Sequence, residues 1–193
     1  VDIGAVVRLA PIKDVKTMIY AFFELHERMP KVRLHIMGGV DDEEYGAECH
    51  ALVETLGVRD LIFTGRVNVV EYMEKLDFTI LTSISEGQPL SVLESLGARR
   101  PCVTTEVGCC RELLEGAPGD DFGVAGFVSP PMYRKGLTDA MERMCASRAR
   151  RLEMGECGQR RVATYYLHEQ MLANYRALYD ETARAFNLSK KEV

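Results

Sequence analysis

The chain has 193 residues, of which 47% are hydrophobic, and its net charge is −5. This composition supports a full hydrophobic core and excludes a largely disordered chain. The acidic balance argues against a nucleic-acid-binding protein, because such proteins usually carry a basic face. No apolar run approaches the roughly 20 residues of a membrane-spanning helix. The six cysteines are scattered and include no C-x-x-C pair, so we expect a protein of the reducing cytoplasm.

Up to residue 128, short apolar runs alternate with longer segments of helical spacing. In chain order, strands are predicted at residues 3–7, 32–37, 61–63, 78–81, 102–104 and 124–128. Helices are predicted between them at residues 15–29, about 42–56, 69–76, 89–98 and 110–114. The second helix has Asp41 and Asp42 as N-cap candidates and Gly57 as a C-cap. This alternation predicts an α/β fold, a doubly wound six-stranded parallel Rossmann-like sheet with helices on both faces.

Beyond Pro131 the pattern predicts helices only. They lie at about residues 131–146, 149–165 and 168–186, and a polar, frayed tail follows at residues 187–193. Because consecutive helices cannot extend a sheet, we predict a Rossmann-like domain at residues 1–130 and a C-terminal helical segment at residues 131–193 that packs on it. The chain opens at Val1 inside a strand pattern, so we expect it to belong to a longer protein.

The segment between the predicted fourth strand and the next helix carries the features of an anion site. It reads SISEGQPLSVLE from Ser83 to Glu94. Gly87 lets the backbone approach a ligand, and Pro89 is favoured in the first turn of a helix. Three backbone amides are expected to be free at the helix start, those of Leu90, Ser91 and Val92. Together with the helix dipole, such amides bind anions.

Two carboxylates, Glu86 and Glu94, flank these amides. A carboxylate does not bind phosphate, but it accepts hydrogen bonds from sugar hydroxyls. A ligand with phosphate in the middle and a hydroxylated ring at each end fits this arrangement, and a nucleoside diphosphate sugar is such a ligand. Alternatively, neither carboxylate binds a ligand. Glu86 would then be an acidic residue of a surface loop, and Glu94 would be a solvated acidic residue of a helix.

Two cations, Arg8 and Lys13, follow the first predicted strand. An arginine side chain can donate two parallel hydrogen bonds to a diphosphate, and a lysine side chain supplies a point charge. Ligands of open parallel sheets bind at the carboxyl ends of the strands, so we expect both cations to face the helix start at Pro89. The alternative is that both side chains are simply solvated.

Taken together, these segments resemble the family-4 retaining glycosyltransferases of the GT-B fold. The resemblance rests on R-L-x-x-x-K from Arg8 to Lys13 and on E-G-x-x-x-x-x-x-E from Glu86 to Glu94. Further segments resemble the family's loops, namely Ile36–Gly39, Phe63–Val67, Ser83, Thr104–Gly108 and Glu112. The resemblance spans about residues 6–128. Within the family, the segment SEGQPL is most similar to the soluble transferases of the Pel exopolysaccharide system.

The resemblance implies a role for each matching residue. Arg8 and Lys13 hold the donor diphosphate and stabilise charge on the leaving group, Glu86 binds the donor hexose, and Glu94 binds the ribose. The backbone of Arg66 and Val67 reads the base. The full set of implied donor-binding residues beyond the catalytic Arg8, Lys13 and Glu86 is Gly39, Arg66, Val67, Gly87, Gln88, Pro89, Leu90, Ser91 and Glu94.

The implied activity is transfer of a hexosyl group from a nucleotide sugar, expected to be UDP-glucose, with retention at the anomeric carbon. No metal-binding cluster is evident in the sequence, so neither a metal nor a further cofactor is expected. A glycan or lipid-linked acceptor would bind a missing N-terminal domain, towards which the C-terminal helices extend. Partner proteins of a polysaccharide export machine are also expected. The chain by itself should bind the donor weakly and transfer nothing.

Some residues depart from the family pattern. Val7 replaces the usual glycine before the arginine, and Gln88-Pro89 replaces a common Phe-Gly. Two other functions stay open. A sugar-nucleotide epimerase of the GT-B fold would need acid/base residues in the cleft, and the loops offer no histidine. A non-enzymatic doubly wound binding module, such as a receiver-like domain, would need an acidic cluster after the first strand, where Arg8 and Lys13 stand instead.

Overall fold

A computed structural model of the chain describes residues 1–189, with side chains to residue 186, and centres on a six-stranded parallel sheet. In chain order, β1 to β6 are Asp2–Val6, Arg33–Met37, Leu61–Gly65, Phe78–Leu81, Cys102–Thr105 and Gly126–Ser129. Their order across the sheet is β3-β2-β1-β4-β5-β6. The chain therefore winds outwards from β1 in one direction and then from β4 in the other. The predicted doubly wound, Rossmann-like α/β fold is confirmed.

Eight α-helices connect and follow the strands in the described part of the chain, and a short 3-10 helix, Pro11–Lys13, follows β1. In chain order, α1 to α8 are Val15–Arg28, Glu43–Leu56, Val69–Met73, Leu90–Gly97, Cys110–Glu115, Arg134–Cys145, Arg148–Tyr165 and His168–Ser189. Asp42, rather than Asp41, caps α2 by accepting a hydrogen bond from the Tyr45 amide, and Gly57 ends that helix with φ of 62°. Part of the predicted frayed tail belongs to α8, and residues 190–193 lie outside the described residues.

The sheet is covered on both faces by apolar side chains. On one face, α1, α2 and α6 pack on the sheet through buried residues such as Phe22, Leu34 and Met141. On the other face, α4, α5 and α7 contribute a second cluster that includes Leu96 and Leu113. Burial of both faces explains why the strands read as continuous apolar runs rather than as alternating ones.

The C-terminal helices differ in how they contact the sheet domain. Helix α6 packs on α1, and α7 packs on α4 and α5, whereas every described side chain of α8 is exposed. None of the helices in the described residues combines the length and the apolar character needed to cross a membrane.

A buried arginine ties α7 to the segment between α5 and β6. The side chains of Arg161 and Asp120 are 1% and 2% exposed and lie 2.6 Å apart. Arg161 also donates to three carbonyl oxygens, those of Leu113, Leu114 and Gly123. The hydrogen bond from Arg161 lowers the pKa of the Asp120 carboxyl. Because both charges are paired and the guanidinium is saturated with acceptors, the pair is tolerated in the interior.

We expect the substitution Arg161→Met to lower the free energy of unfolding by about 3–5 kcal/mol, because it leaves the Asp120 carboxylate buried without its counter-ion. Urea denaturation followed by circular dichroism measures this loss. Lys135→Met is the matched control, since Lys135 forms an exposed ion pair with Asp139 and should change the free energy far less. Equal losses in the two variants would show that burial of the Arg161–Asp120 pair is not what makes it important.

Candidate functional site

The loop after β1 and the loop after β4 meet at the carboxyl edge of the sheet, because β1 and β4 are neighbouring strands. The Thr82 hydroxyl donates to the carbonyl oxygens of Lys13 and Asp14 at 3.0 and 3.1 Å. The Ile84 amide donates to the carbonyl oxygen of Ile12 at 2.9 Å. These bonds cross the switch point, where the direction of winding changes, and this is where ligands bind in such sheets.

Lys13 and Glu86 form an ion pair at this junction. Lys13 Nζ donates to Glu86 Oε1 at 2.6 Å, and the two side chains are 19% and 14% exposed. The Ser83 hydroxyl donates to the same carboxylate oxygen at 2.7 Å. Partial burial reduces screening by water and strengthens the attraction between the two charges. The structure therefore brings a predicted cation and a predicted carboxylate into direct contact.

Arg8 has a different partner from Lys13. Its Nη1 donates to Asp41 Oδ2 at 2.7 Å, and the two side chains are 62% and 46% exposed. The Asp41 amide donates to the Leu9 carbonyl oxygen at 3.1 Å, which places this carboxylate beside the β1 loop. Arg8 thus contacts the loop between β2 and α2 rather than a residue of the β4–α4 loop, and its expected approach to the start of α4 stays a prediction.

A cleft of about 400 Å³ brings together the predicted residues of the first three strand ends. It is lined by Arg8, Lys13, Arg66 and Val67, together with residues such as Gly38. A side chain at Gly38 would place its Cβ 2.0 Å from the Val7 carbonyl oxygen, and one at Gly39 would lie 3.1 Å from Arg66 Nε. The two glycines therefore allow the β2 loop to approach β1 and Arg66 closely.

The start of α4 differs in detail from the prediction. Pro89 is the N-cap residue rather than the first helical residue. The Val92 amide donates to the Pro89 carbonyl oxygen at 3.2 Å, so it is not free as expected, because the first turn tightens into an i to i+3 bond. Among the described residues, the amides of Leu90 and Ser91 donate to no backbone acceptor. Two amides, rather than three, are available to an anion.

A second cavity, of about 630 Å³, lies between the start of α4 and the α7–α8 junction. Gln88, Leu90 and Glu94 line it, and none of the three lines the cleft that contains Lys13. The opposite wall comes from the C-terminal helices, with Tyr165, Tyr166, Leu167, His168, Met171, Asn174, Tyr175 and Leu178. This wall could not be predicted from the sequence, because helical spacing alone does not reveal which helix faces which loop.

The loop after β5 packs on the loop after β4, which contains Glu86. Gly108 has φ of +51°, and a Cβ there would lie 2.1 Å from the Gly87 carbonyl oxygen and 2.5 Å from that of Glu86. The Cys109 amide donates to the Gly87 carbonyl oxygen at 3.0 Å. Gly108 and Ser83 lie in segments that resemble the family's loops, but the resemblance implies no role for either residue at the site. The three-residue spacing of Ser83 and Glu86 was the available signal for their contact.

The neighbouring thiols of Cys109 and Cys110 are not activated as nucleophiles, and the described side chains form no metal-binding group. Burial raises the pKa of the Cys109 thiol above its ordinary value and that of Cys110 to about 11. Both thiols are therefore protonated at neutral pH and are poor nucleophiles. Within residues 1–189, no group of three histidine, cysteine, aspartate or glutamate side chains is arranged to hold a metal ion.

Comparison with known proteins identifies both a family and relatives. The family described as glycosyl transferases, group 1, matches residues 1–147. The N-acetyl-alpha-D-glucosaminyl L-malate synthase of Bacillus anthracis is 24% identical over 175 residues, which are 90% of this chain and 43% of that protein. The chain thus spans less than half the length of this relative.

Two solved structures share the fold. The C-terminal domain of the glycosyl transferase group 1 protein LpcC from Francisella tularensis superposes with a TM-score of 0.75 at 20% identity, covering 86% of each chain. HepE of Anabaena, in complex with UDP and glucose, superposes with a TM-score of 0.78 at 21% identity, over 91% of this chain and 48% of HepE.

The family match extends from the first residue to the turn between α6 and α7. It confirms the resemblance drawn from short motifs as far as the group 1 glycosyltransferases and the GT-B fold, while membership of family 4 and retention at the anomeric carbon stay predictions. It also favours a transferase over the epimerase and over the non-enzymatic binding module. The narrower likeness to the Pel system stays a prediction. This chain belongs to the group 1 glycosyltransferases.

Proposed function

We propose that this chain is the donor-binding domain of a retaining hexosyltransferase whose donor is UDP-glucose. The observation that carries the proposal is the part-buried pair of Lys13 and Glu86 at the switch point, 2.6 Å apart. A cation for phosphate and a carboxylate for sugar hydroxyls lie side by side there. The HepE structure, which holds UDP and glucose, supports the choice of donor.

In this proposal, the cations act on the leaving group. Negative charge grows on the diphosphate as the glycosidic bond breaks, and a preorganised cation stabilises that charge. Lys13 is already held in place by its contact with Glu86. Arg8 is held only by an exposed pair with Asp41, and such pairs are weak, so Arg8 can turn onto a phosphate at little cost. Because two cations of the chain can balance the diphosphate, we expect no metal requirement.

The remaining roles follow the same logic. Glu86 accepts hydrogen bonds from hydroxyls of the hexose, and Glu94 accepts them from the ribose. The amides of Leu90 and Ser91 bind phosphate at the start of α4, and the backbone of Arg66 and Val67 reads the base. Gly39, Gly87, Gln88 and Pro89 complete the surface that contacts the donor.

The acceptor side belongs to the whole protein, of which this chain is one part. The LpcC domain, which the chain covers to 86%, supports an assignment as the C-terminal half of a two-domain transferase. We propose that a glycan or lipid-linked acceptor binds the other half. On the strength of the SEGQPL segment, we also propose a role in exopolysaccharide synthesis with export proteins as partners. The six free cysteines favour the cytoplasm.

UDP and UDP-glucose should raise the melting temperature of this chain more than ADP, GDP or their glucose conjugates do. The physical reason is that the backbone of the β3 loop offers fixed hydrogen-bonding groups that suit one base better than the others. A thermal-shift panel at equal ligand concentration measures this preference. Equal shifts for the three bases would remove the uridine assignment, and a larger shift with ADP or GDP would redirect it.

Lys13→Ala and Arg8→Ala should each weaken UDP binding and leave uridine binding almost unchanged, because uridine carries no phosphate. Removing one partner of a charged pair in a partly dry cleft commonly costs about 2–5 kcal/mol. We expect the larger loss for Lys13, which is more buried than Arg8. Calorimetry with uridine, UMP and UDP measures both. Lys16→Ala is the matched control, because Lys16 pairs with Glu48 outside the cleft. Wild-type affinity for UDP in both variants would rule out the proposed phosphate site.

Glu94→Gln should weaken UDP itself, because the ribose is part of UDP. Glu86→Gln should weaken only UDP-glucose, by about 1.5–3 kcal/mol for a lost charge-assisted hydrogen bond. Titration of both variants with UDP and UDP-glucose separates the two carboxylates, and circular dichroism checks that each variant is folded. If both folded variants lose UDP equally, the assignment of Glu86 to the hexose is wrong.

A further inference from the structure

We infer that Ser83 is a positioning residue that holds the Glu86 carboxylate ready for the donor hexose, an inference that rests on the proposed function. The Ser83 hydroxyl and the Lys13 ammonium both donate to Glu86 Oε1, at 2.7 and 2.6 Å. Among the described side chains, those of residues 1–186, none donates to the second oxygen, Oε2. One carboxylate oxygen is thus used to hold the side chain, and the other is left to accept a hydrogen bond from a ligand.

Ser83 is itself held rigidly by the sheet. Its side chain is buried, and its carbonyl oxygen accepts a hydrogen bond of 2.7 Å from the buried Thr105 hydroxyl at the end of β5. The preceding residue, Thr82, donates to the Lys13 carbonyl oxygen. Two consecutive residues after β4 therefore place both groups that contact Glu86 Oε1, one through a side chain and the other through the Lys13 backbone.

The two contacts to Glu86 are not equivalent once a donor is bound. Lys13 is proposed to stabilise the diphosphate, so its charge is then shared between the phosphate and Oε1 and its hold on Oε1 weakens. Ser83 has no such competing partner, so its hydroxyl keeps the carboxylate in place. A glutamate side chain that is ordered before binding loses less conformational entropy when it meets the sugar. Removing the Ser83 hydroxyl should therefore affect the sugar and spare the nucleotide.

The test compares UDP-glucose with UDP on the same variants by calorimetry. In Ser83→Ala, the affinity for UDP-glucose should fall about tenfold, the scale of one hydrogen bond to a charged group, and the affinity for UDP should stay at the wild-type value. Ser83→Thr keeps a hydroxyl and should restore the wild-type ratio of the two affinities. Ser95→Ala removes another buried hydroxyl, which bonds to Thr79 and Arg100, and should leave the ratio unchanged.

The outcomes separate this inference from the proposed function. If the wild-type chain binds neither UDP nor UDP-glucose, the proposed function fails. If the wild type binds both and Ser83→Ala keeps the wild-type ratio, or lowers both affinities equally, Ser83 is only structural and the inference is overturned. If Ser83→Ala does not fold, Ser83→Cys replaces it, because the thiol has a similar volume and is a weak donor. The same shift in ratio is then expected.

Discussion

The adjacency of β1 and β4 is the constraint on which the rest of the site depends. Lys13 and Glu86 are 73 residues apart in the sequence, and they meet because the chain returns to the side of β1 opposite β2 when it forms β4. Parallel strands end at the same edge, so the two loops emerge side by side. The hydrogen bonds from Thr82 and Ile84 then fasten one loop to the other.

Arg8 and Lys13 are each balanced by a nearby carboxylate. The chain is acidic as a whole, yet two cations stand at the carboxyl edge of the sheet, each paired with a carboxylate from another loop. The two pairs differ in exposure. The Arg8 pair with Asp41 is open to water and can exchange partners easily. The Lys13 pair with Glu86 is partly buried and bonded to Ser83, so water screens it less.

The C-terminal helices divide into two kinds. Helices α6 and α7 belong to the sheet domain, and the buried Arg161 ties α7 to the segment before β6. Helix α8 is exposed along its described length and forms one wall of the cavity that holds Glu94. The region around Glu94 therefore depends on α8, while the Lys13 cleft is formed by the ends of β1 and β2, the loops after β1, β2 and β3, and the start of α3. The predicted reach of this helical segment towards a further domain stays a prediction.

The sequence by itself determined the elements, their order and the family. Period and apolar runs are local properties, so six strands, the intervening helices and caps such as Gly57 could be read directly. Only the tertiary structure decided which loops meet. It paired Arg8 with Asp41, placed Ser83 on Glu86, and put Glu94 in a separate cavity beside α8. The physical reason is that these contacts depend on strand order and helix packing, which connect distant residues and leave no periodic trace in the sequence.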